Sequence, residues 1–250
     1  MKKILILMPE WLKEALRKSR DVIFTILYTG KSKYCPVCNR SFRKFRNYGG
    51  ASREASVCVN CSSLERHRLV WIYFTKRTDL FDQKPRKFLH IAPERCFISR
   101  LRKSLRKGSY ITADLSDPRA SVKMDITKIE YPEGSFDAIY CSHVLEHVQD
   151  DRKALSEFYR ILKKDGWAVI MVPIEAEITF EDPAVTDPME RERIFGQADH
   201  VRCYGKDFVD RLLEAGFHVT VVNAKDISSE EEIEYMGLPE NEDIFFCTKN

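Results

Sequence analysis

The chain has 250 residues, of which 44% are hydrophobic, enough for one full α/β domain with its own core and a small additional unit. No run approaches the roughly 20 apolar residues of a membrane span, so no transmembrane segment is predicted. The opening stretch MKKILILMPEW has an apolar run too short for a secretory signal, and we expect a cytoplasmic protein.

The net charge of +3 hides an uneven distribution. Residues 1–110 hold 26 Lys and Arg against 8 Asp and Glu, whereas residues 111–250 hold 15 against 30. This pattern is typical either of two solvated surfaces of opposite sign or of an N-terminal part that meets an anionic partner. Nucleic acid, a phosphorylated glycan and a membrane surface are the candidate partners.

The first predicted element is a basic amphipathic helix over residues 9–29, within an N-terminal segment 1–34. Leu12, Leu16, Ile23 and Ile26 recur at roughly helical spacing. Two interpretations stay open, a helix packed on its own domain and a helix lying on a membrane surface.

Two Cys-x-x-Cys pairs follow, in a segment that we place at residues 35–80. Cys35 and Cys38 form the first pair, and Cys58 and Cys61 the second. Four thiolates at this spacing predict a closed tetrahedral zinc site in a zinc ribbon, structural in role. The basic and aromatic residues between the pairs suit either the ribbon's own small core and solvated face or a nucleic-acid surface. A helix capped by Ser62 or Ser63 should follow.

From residue 87 the pattern alternates between strands and helices. This alternation predicts an α/β domain over residues 85–250, with a mostly parallel sheet, helices on both faces and a final strand that runs antiparallel. Helices are expected at 94–107, 150–164 and 205–215. The expected strands are 87–91, 109–114, 121–125, 136–142, 167–172, 217–222 and 244–249.

Polar residues that follow these strands are candidates for ligand binding, because open α/β sheets bind ligands at the carboxyl ends of their strands. Asp114 is placed to accept hydrogen bonds from ribose hydroxyls, and Asp125 from an adenine amino group. The first loop, HIAPE, has Glu94 where a dinucleotide would need glycines and no negative charge. S-adenosylmethionine carries a sulfonium and an ammonium group instead of a pyrophosphate, so Glu94 favours that cofactor over NAD.

With these residues the chain resembles the class I S-adenosylmethionine-dependent methyltransferases of the type 11 kind, over about residues 85–250. The most specific stretch is MDITKIEYPEGSFDAIYCSHVLEHVQDDRKALSEFYRILKKDGWAVIMVPI. The resemblance implies a Rossmann-like seven-stranded sheet of order 3-2-1-4-5-7-6. His90, Ala92 and Glu94 stand where the family has an acid and two glycines. Further cofactor contacts are expected at Leu115, Ile126, Ser142 and His143.

A polar insertion at about residues 174–204 would cover the site and select the acceptor. His200 is our first candidate for a general base and His143 the second, although a packing or cofactor role for His143 is equally open. His147 is expected to be structural, and the flanking glycines are possible hinges. Alternatively, the insertion is a surface loop whose charges pair with one another. Candidates to hold an anionic acceptor are Arg66, Arg68, Arg191, Arg193, Gln197, Asp199 and Arg202.

These features predict methyl transfer, most simply O-methylation, to a small or glycan-linked anionic acceptor. A zinc ribbon followed by HIAPE and FGQADHVR is similar to bacterial methyltransferases of surface-polysaccharide modification. The alternative is an rRNA or tRNA methyltransferase that binds RNA through the basic ribbon. A non-enzymatic interaction module on a degenerate fold is a third possibility, and it should not bind S-adenosylmethionine.

Overall fold

The computed structural model describes residues 9–48, 53–84 and 86–249. The chain divides into two compact units, the N-terminal unit (Met1–Lys76 with Ser228–Pro239) and the sheet unit (Arg77–Ile227 with Glu240–Asn250). The first eight residues, on which the expectation about a secretory signal depends, lie outside the described residues. In the described part of the chain, no helix combines the length and the apolar character needed to cross a bilayer.

The described residues of the N-terminal unit form short antiparallel strand pairs and three helices. Strand β1 pairs with β2, and β3 with β4, which frames the cysteine segment. Its elements in chain order are α1 (Glu10–Leu27), β1 (Thr29–Cys35), β2 (Arg40–Phe42), β3 (Arg46–Tyr48), β4 (Arg53–Val57), α2 (Glu65–Arg77) and α7 (Glu230–Met236).

Helix α1 confirms the predicted N-terminal helix. On one side, Arg46 lies 4.7 Å from the ring centre of Phe24, and Arg43 lies 5.1 Å from that of Tyr28. Apolar side chains are nevertheless exposed along the helix, at Leu16, Val22, Ile23, Ile26 and Leu27. Contact with a membrane surface therefore stays a prediction.

Helix α7 joins the N-terminal unit although the sequence pattern placed residues 228–239 with the sheet. Ser229 caps it in a capping box with Glu232. Tyr235 stacks on Tyr34 of β1, with ring centres 5.9 Å apart. The sequence analysis did not predict this helix.

The sheet unit contains a seven-stranded sheet in the order β7-β6-β5-β8-β9-β14-β13. All neighbours are parallel except β14, which is antiparallel to both β9 and β13. The predicted order 3-2-1-4-5-7-6 and the antiparallel last strand are thus confirmed. The strands are β5 (Phe88–Ile91), β6 (Tyr110–Asp114), β7 (Val122–Lys123), β8 (Phe136–Ser142), β9 (Leu162–Met171), β13 (His218–Val222) and β14 (Ile244–Thr248).

Helices α3 (Arg95–Ser104), α4 (Asp151–Ile161) and α6 (Phe208–Glu214) complete the α/β pattern. Asp150 caps α4 by accepting a 2.8 Å hydrogen bond from the Lys153 amide. The central strands are buried over nearly their whole length, which explains their continuous apolar sequence. The core includes Leu89, Ile139, Phe158, Ile170 and Phe245.

The insertion folds into a small three-stranded sheet, in the order β10-β12-β11, and one helix. Its elements are β10 (Ile174–Ala176), β11 (Phe180–Glu181), α5 (Pro188–Phe195) and β12 (Arg202–Gly205).

The two glycines of the insertion that the sequence suggested as hinges have structural roles. Gly196 ends α5 in a left-handed conformation, with φ of +85°. A Cβ at Gly205 would come within 2.4 Å of the Ile178 backbone, so only glycine fits this close approach.

Candidate functional site

The four cysteines of the two Cys-x-x-Cys pairs meet in the N-terminal unit. Their sulfur atoms all lie within 4.8 Å of one another, and the Cys35–Cys61 and Cys38–Cys58 Sγ distances are both 3.7 Å. A tetrahedral zinc ion with Zn–S bonds of about 2.3 Å requires S–S distances of about 3.8 Å. The arrangement therefore fits a tetrahedral S₄ ion without rearrangement.

The four thiols of this cluster affect one another's ionisation. The Ser63 hydroxyl lies 3.2 Å from Cys35 Sγ and 3.3 Å from Cys61 Sγ. Hydrogen bonds from the other thiols lower the pKa of Cys35, and the same coupling to Cys35 raises the pKa values of Cys58 and Cys61. Four thiolates this close repel one another, so a bound cation would be needed for all of them to ionise.

Arg68 does not act as an acceptor-binding residue, which corrects the prediction. It is fully buried in the N-terminal unit, stacked 4.3 Å from the ring centre of Phe45. Its guanidinium donates to the carbonyl oxygens of Ser56, Ser63 and Gly237 at 2.6–3.2 Å. All three of its guanidinium nitrogens donate within the fold. Arg66 is half-buried in the same unit.

In the sheet unit, the carboxyl ends of three neighbouring strands bring the predicted cofactor residues to one edge. Strand β5 pairs in parallel with both β6 and β8, and Ile91 is level with Ala113 on one side and Cys141 on the other. The loops that begin after these strands therefore start side by side. This edge is where an open α/β sheet binds its ligand.

The first loop adopts a glycine-like conformation without a glycine. Ala92, at the family's first glycine position, has φ of +46°, in the left-handed region. Its amide donates to the Ala113 carbonyl at 2.8 Å, which holds the loop against β6. The loop therefore has the backbone conformation that glycine usually adopts, although alanine occupies the position.

Glu94 is held by a buried polar network that the sequence analysis did not foresee. Its carboxylate accepts hydrogen bonds from His90 Nε2 and, at 2.9 Å, from the Tyr140 hydroxyl. His90 Nδ1 lies 2.8 Å from the Tyr110 hydroxyl, whose pKa is raised by burial and by the nearby charge of Glu94. The network fixes the carboxylate at the N-terminus of α3, with a side chain 16% exposed.

The carboxylates of Asp114 and Asp125 each accept hydrogen bonds within a tight local turn. One oxygen of Asp114 accepts from the amides of Ser116 and Asp117 at 2.8 and 2.7 Å. One oxygen of Asp125 accepts from the Thr127 hydroxyl and amide, and these hydrogen bonds lower the pKa of Asp125. These turns orient both carboxylates as hydrogen-bond acceptors. Beside them, Leu115 is exposed and Ile126 is buried.

The end of β8 and the turn that follows it carry several polar side chains. Ser142 is buried and its hydroxyl has no partner among the described residues. His143 has φ of +52° and lies between two carboxylates, 3.5 Å from Glu146 and 3.2 Å from Glu242. Glu146 is 1% exposed, and its Oε2 also has no partner among the described residues.

The insertion is anchored on this turn, mainly by Arg202. The Val201 amide donates to the Glu146 carbonyl at 2.9 Å, and Arg202 donates to carbonyl oxygens of the turn, including that of Leu145 at 2.9 Å. Arg202 is 3% exposed and also pairs with Glu181. It therefore holds the insertion in place and does not contact an acceptor, which corrects its predicted role.

A second arginine completes the anchor. Arg211 pairs with Asp151 at 2.8 Å and with Glu181 at 2.9 Å. Although burial opposes ionisation, hydrogen bonds from Arg211 and Arg202 lower the pKa of Glu181 below its usual range. The Tyr204 hydroxyl donates to Asp151 at 2.6 Å. The sequence offered no signal for this network, because its members are far apart in the chain.

The anchored insertion places His200 beside the turn after β8. His200 is 4% exposed, and its Nδ1 lies 3.0 Å from the Phe195 carbonyl. The proton must therefore be on Nδ1, which leaves the lone pair on Nε2. The His147 ring lies at 79° to that of His200, with ring centres 4.7 Å apart.

The remaining acceptor candidates lie on or near α5. Arg191 Nε donates to the Val185 carbonyl at 3.0 Å, and the residue lines a cleft of about 320 Å³ whose other walls include Asp150 and Glu181. Arg193 is exposed, 3.9 Å from Glu190, and Gln197 and Asp199 are exposed too. The insertion is thus neither a plain surface loop nor a fully formed basic pocket.

The strand order and the acids at the strand ends define the class I methyltransferase fold. Residues 88–170 match the sequence model of a family described as a methyltransferase domain. The sheet unit thus contains a match to a methyltransferase domain, and the chain is similar to this family over that stretch. None of the curated proteins matches the chain.

Several solved structures are similar to the chain. The YcgJ protein of Bacillus subtilis has 16% identity, covers 74% of this chain and 99% of its own, and gives a TM-score of 0.48. An S-adenosylmethionine-dependent methyltransferase of Mesorhizobium loti has 14% identity, coverage of 72% and 97%, and a TM-score of 0.49. The Haemonchus contortus phosphoethanolamine N-methyltransferase 2, in complex with S-adenosyl-L-methionine, has 17% identity, coverage of 73% and 52%, and a TM-score of 0.48.

Proposed function

We propose that the sheet unit transfers a methyl group from S-adenosylmethionine to an oxygen atom of a small or glycan-linked anionic acceptor. The observation that carries this proposal is the position of His200. The anchored insertion holds its Nε2 lone pair next to the turn after β8, at the edge of the sheet where the cofactor acids lie. A nucleophilic oxygen and its proton acceptor are needed at that place.

The adenosine would be held by the two strand-end acids. Asp114 would accept from the ribose hydroxyls and Asp125 from the adenine amino group, with Leu115 and Ile126 as neighbouring apolar contacts. Each acid uses one oxygen for its own turn, which leaves the other for the nucleoside. The loop of His90, Ala92 and Glu94 would receive the methionyl part, together with Ser142 and His143.

The reaction itself needs alignment and loss of a proton. Methyl transfer is an in-line displacement, so the acceptor oxygen must lie behind the methyl group, opposite the sulfur. His200 would take the proton of a hydroxyl acceptor, and Arg191 and Arg193 would attract its negative charge. In the N-terminal unit, the four cysteines would hold a structural zinc ion that takes no part in the reaction.

Cofactor binding is the first test, and the structure supplies a sharp variant. In Asp114→Asn the amide oxygen can still accept from the Ser116 and Asp117 amides, so the turn is kept while the charged acceptor for the ribose is lost. We expect S-adenosylmethionine binding to weaken by roughly 1–3 kcal/mol in calorimetry.

The matched control for this variant is Asp165→Asn, which makes the same change of side chain. Asp165 is exposed in the first half of β9, away from the carboxyl ends of the strands. Its φ of +62° is one that asparagine adopts readily, so the backbone should not be strained. We expect cofactor affinity equal to that of the wild type. Equal affinity in Asp114→Asn as well would remove Asp114 from the cofactor site.

The acceptor is found by incubating a cell extract with cofactor that carries a labelled methyl group. Label in a glycan or a small anionic compound supports the proposal. Label in RNA, with salt-sensitive RNA retention, would favour the alternative of an RNA methyltransferase. Tighter binding of NADH than of S-adenosylmethionine would contradict the interpretation of Glu94.

A further inference from the structure

We infer that Glu146, His147 and His200 form a binding site for a divalent transition-metal ion. One ligand atom of each residue lies within 4.8 Å of the others, which is the spacing of side chains around a single ion. Two imidazoles and one carboxylate are a donor set that suits zinc, cobalt, nickel or iron and leaves coordination positions open. The site is separate from the four cysteines.

The two histidines are already oriented as metal ligands. His200 Nδ1 donates to the Phe195 carbonyl at 3.0 Å, and His147 Nδ1 lies 3.3 Å from both the carbonyl and the carboxylate of Asp199. Each contact places the proton on Nδ1 and the lone pair on Nε2. Metal-binding histidines are fixed in the same way, through a hydrogen bond from the other ring nitrogen.

Glu146 gives the second, independent observation. It is 1% exposed, and its Oε2 has no hydrogen-bond partner within the described part of the chain. A buried carboxylate oxygen without a partner is costly, and a cation between Glu146 and the histidines would remove that cost. Its other oxygen lies 3.5 Å from His143 Nδ1, so the carboxylate is also held in position.

The insertion is what completes the site. Glu146 and His147 come from the turn after β8, whereas His200 precedes β12. The Val201 amide and the Arg202 guanidinium tie the two segments together at 2.9 Å. Of the three ligands, His147 has the accessible side chain, 34% exposed, so the open coordination positions should be on its side.

Resting on the proposed function, the ion would bind the acceptor oxygen. A hydroxyl bound to a divalent ion loses its proton more readily, here to solvent water on the accessible side of His147, since the cation stabilises the alkoxide. That oxygen would attack the methyl carbon, and the C–S bond would break with its electron pair on sulfur. His200 would then serve as a ligand in place of a free base, and the ion would attract an anionic acceptor.

The test titrates Co²⁺ into protein loaded with one equivalent of Zn²⁺, without cofactor or acceptor. Zinc should fill the four cysteines first, because thiolates bind it more tightly than imidazoles and a carboxylate do. We expect one further equivalent of Co²⁺ by calorimetry. Glu146→Gln and His200→Ala should each weaken it by at least about a hundredfold, more than loss of a ligand's hydrogen-bond partner typically costs.

His218→Ala is the matched control, because His218 is exposed on β13 and outside the cluster. It should bind Co²⁺ like the wild type. Glu146→Gln keeps the shape of the side chain, so it tests the site even if His200→Ala fails to fold in a thermal melt. Absence of the second equivalent in the wild type, or its retention in both cluster variants, would overturn the inference. Co²⁺ binding without any oxygen methylation would uphold the site and refute the proposed O-methylation.

Discussion

The N-terminal unit and the sheet unit differ in what holds each of them together. The sheet unit buries a continuous apolar core between its central strands and helices, including Leu89, Ile139, Phe158 and Ile170. The N-terminal unit has short strands and a smaller set of buried apolar residues, such as Phe42, Phe45 and Phe74. Small units of this kind usually need a metal or disulfides to be stable.

The comparison explains why the two clusters of potential metal ligands should behave differently. The four cysteines close a tetrahedron in a unit with a small apolar core, so an ion there would be structural. Glu146, His147 and His200 lie on a sheet unit that has its own core, so an ion there would be free to bind an acceptor. The predictions below test this difference, from the largest effect to the smallest.

Cys58→Ser should unfold the N-terminal unit and leave the sheet unit folded. The wild type should carry about one tightly held zinc ion, whose binding typically contributes about 10–16 kcal/mol to the folding of small zinc units. Metal analysis should show that the variant has lost the ion. Amide hydrogen exchange should show lost protection in α2 and retained protection in β8 and β9.

Cys203→Ser is the control, because Cys203 lies outside the cluster and is half-buried in the insertion. It should keep the zinc ion. A Cys58→Ser protein that retains its zinc would remove the metal from the N-terminal unit. Loss of protection in both units would show that the sheet unit does not fold independently of the ion.

Arg68→Met should destabilise the N-terminal unit by roughly 3 kcal/mol. It would remove the arginine donor from the carbonyl groups of Ser56 and Gly237 and one of the two donors from that of Ser63, and an unsatisfied buried polar group costs about 1–3 kcal/mol. Hydrogen exchange in the same unit measures the loss. Arg66→Met, a half-buried neighbour, should stay within about 0.5 kcal/mol of the wild type. If the two variants were equally stable and Arg68→Met had a raised KM for the acceptor, Arg68 would again be assigned to acceptor binding.

The smallest effect concerns acid stability of the sheet unit. Hydrogen bonds from Arg160 lower the pKa of Glu157 to about 2 from its ordinary 4.5. A lowered pKa stabilises the fold above pH 4.5, and this contribution is lost as the pH falls from 4.5 towards 2. Because Arg160 is partly exposed, we expect the ion pair to contribute about 1–2 kcal/mol to the free energy of unfolding, less than the pKa shift alone implies.

The measurement is urea unfolding of the wild type and of Glu157→Gln between pH 2 and pH 7. The variant should be less stable near neutral pH and should lose less stability in acid. Parallel curves for the two proteins would show that the ion pair is screened and contributes nothing.

Much of the fold could be predicted from the sequence, because its signals are local. The alternation of apolar strands with helices indicated the α/β sheet, and the resemblance supplied the order of its strands. Two Cys-x-x-Cys pairs indicated four thiolates around one ion, and the structure brings their sulfur atoms to tetrahedral spacing. Each of these patterns lies within a short stretch of chain.

The roles of the charged residues could not be predicted in the same way. Arg68 and Arg202 were expected to bind an acceptor, yet both are buried and donate to carbonyl groups distant in sequence. An arginine in a polar stretch looks the same whether it faces solvent or a set of backbone carbonyls. Burial decides its role, and burial depends on which segments pack against it.

The sequence by itself determined the class of fold, the cysteine cluster and the acids at the strand ends. Only the tertiary structure decided that α7 joins the N-terminal unit, that Glu94 is held by His90 and Tyr140, and that the insertion brings His200 to Glu146 and His147. The physical reason is distance along the chain. The periodicity of apolar residues and the spacing of motifs are properties of residues close in sequence. These contacts join side chains that become neighbours only when the chain folds.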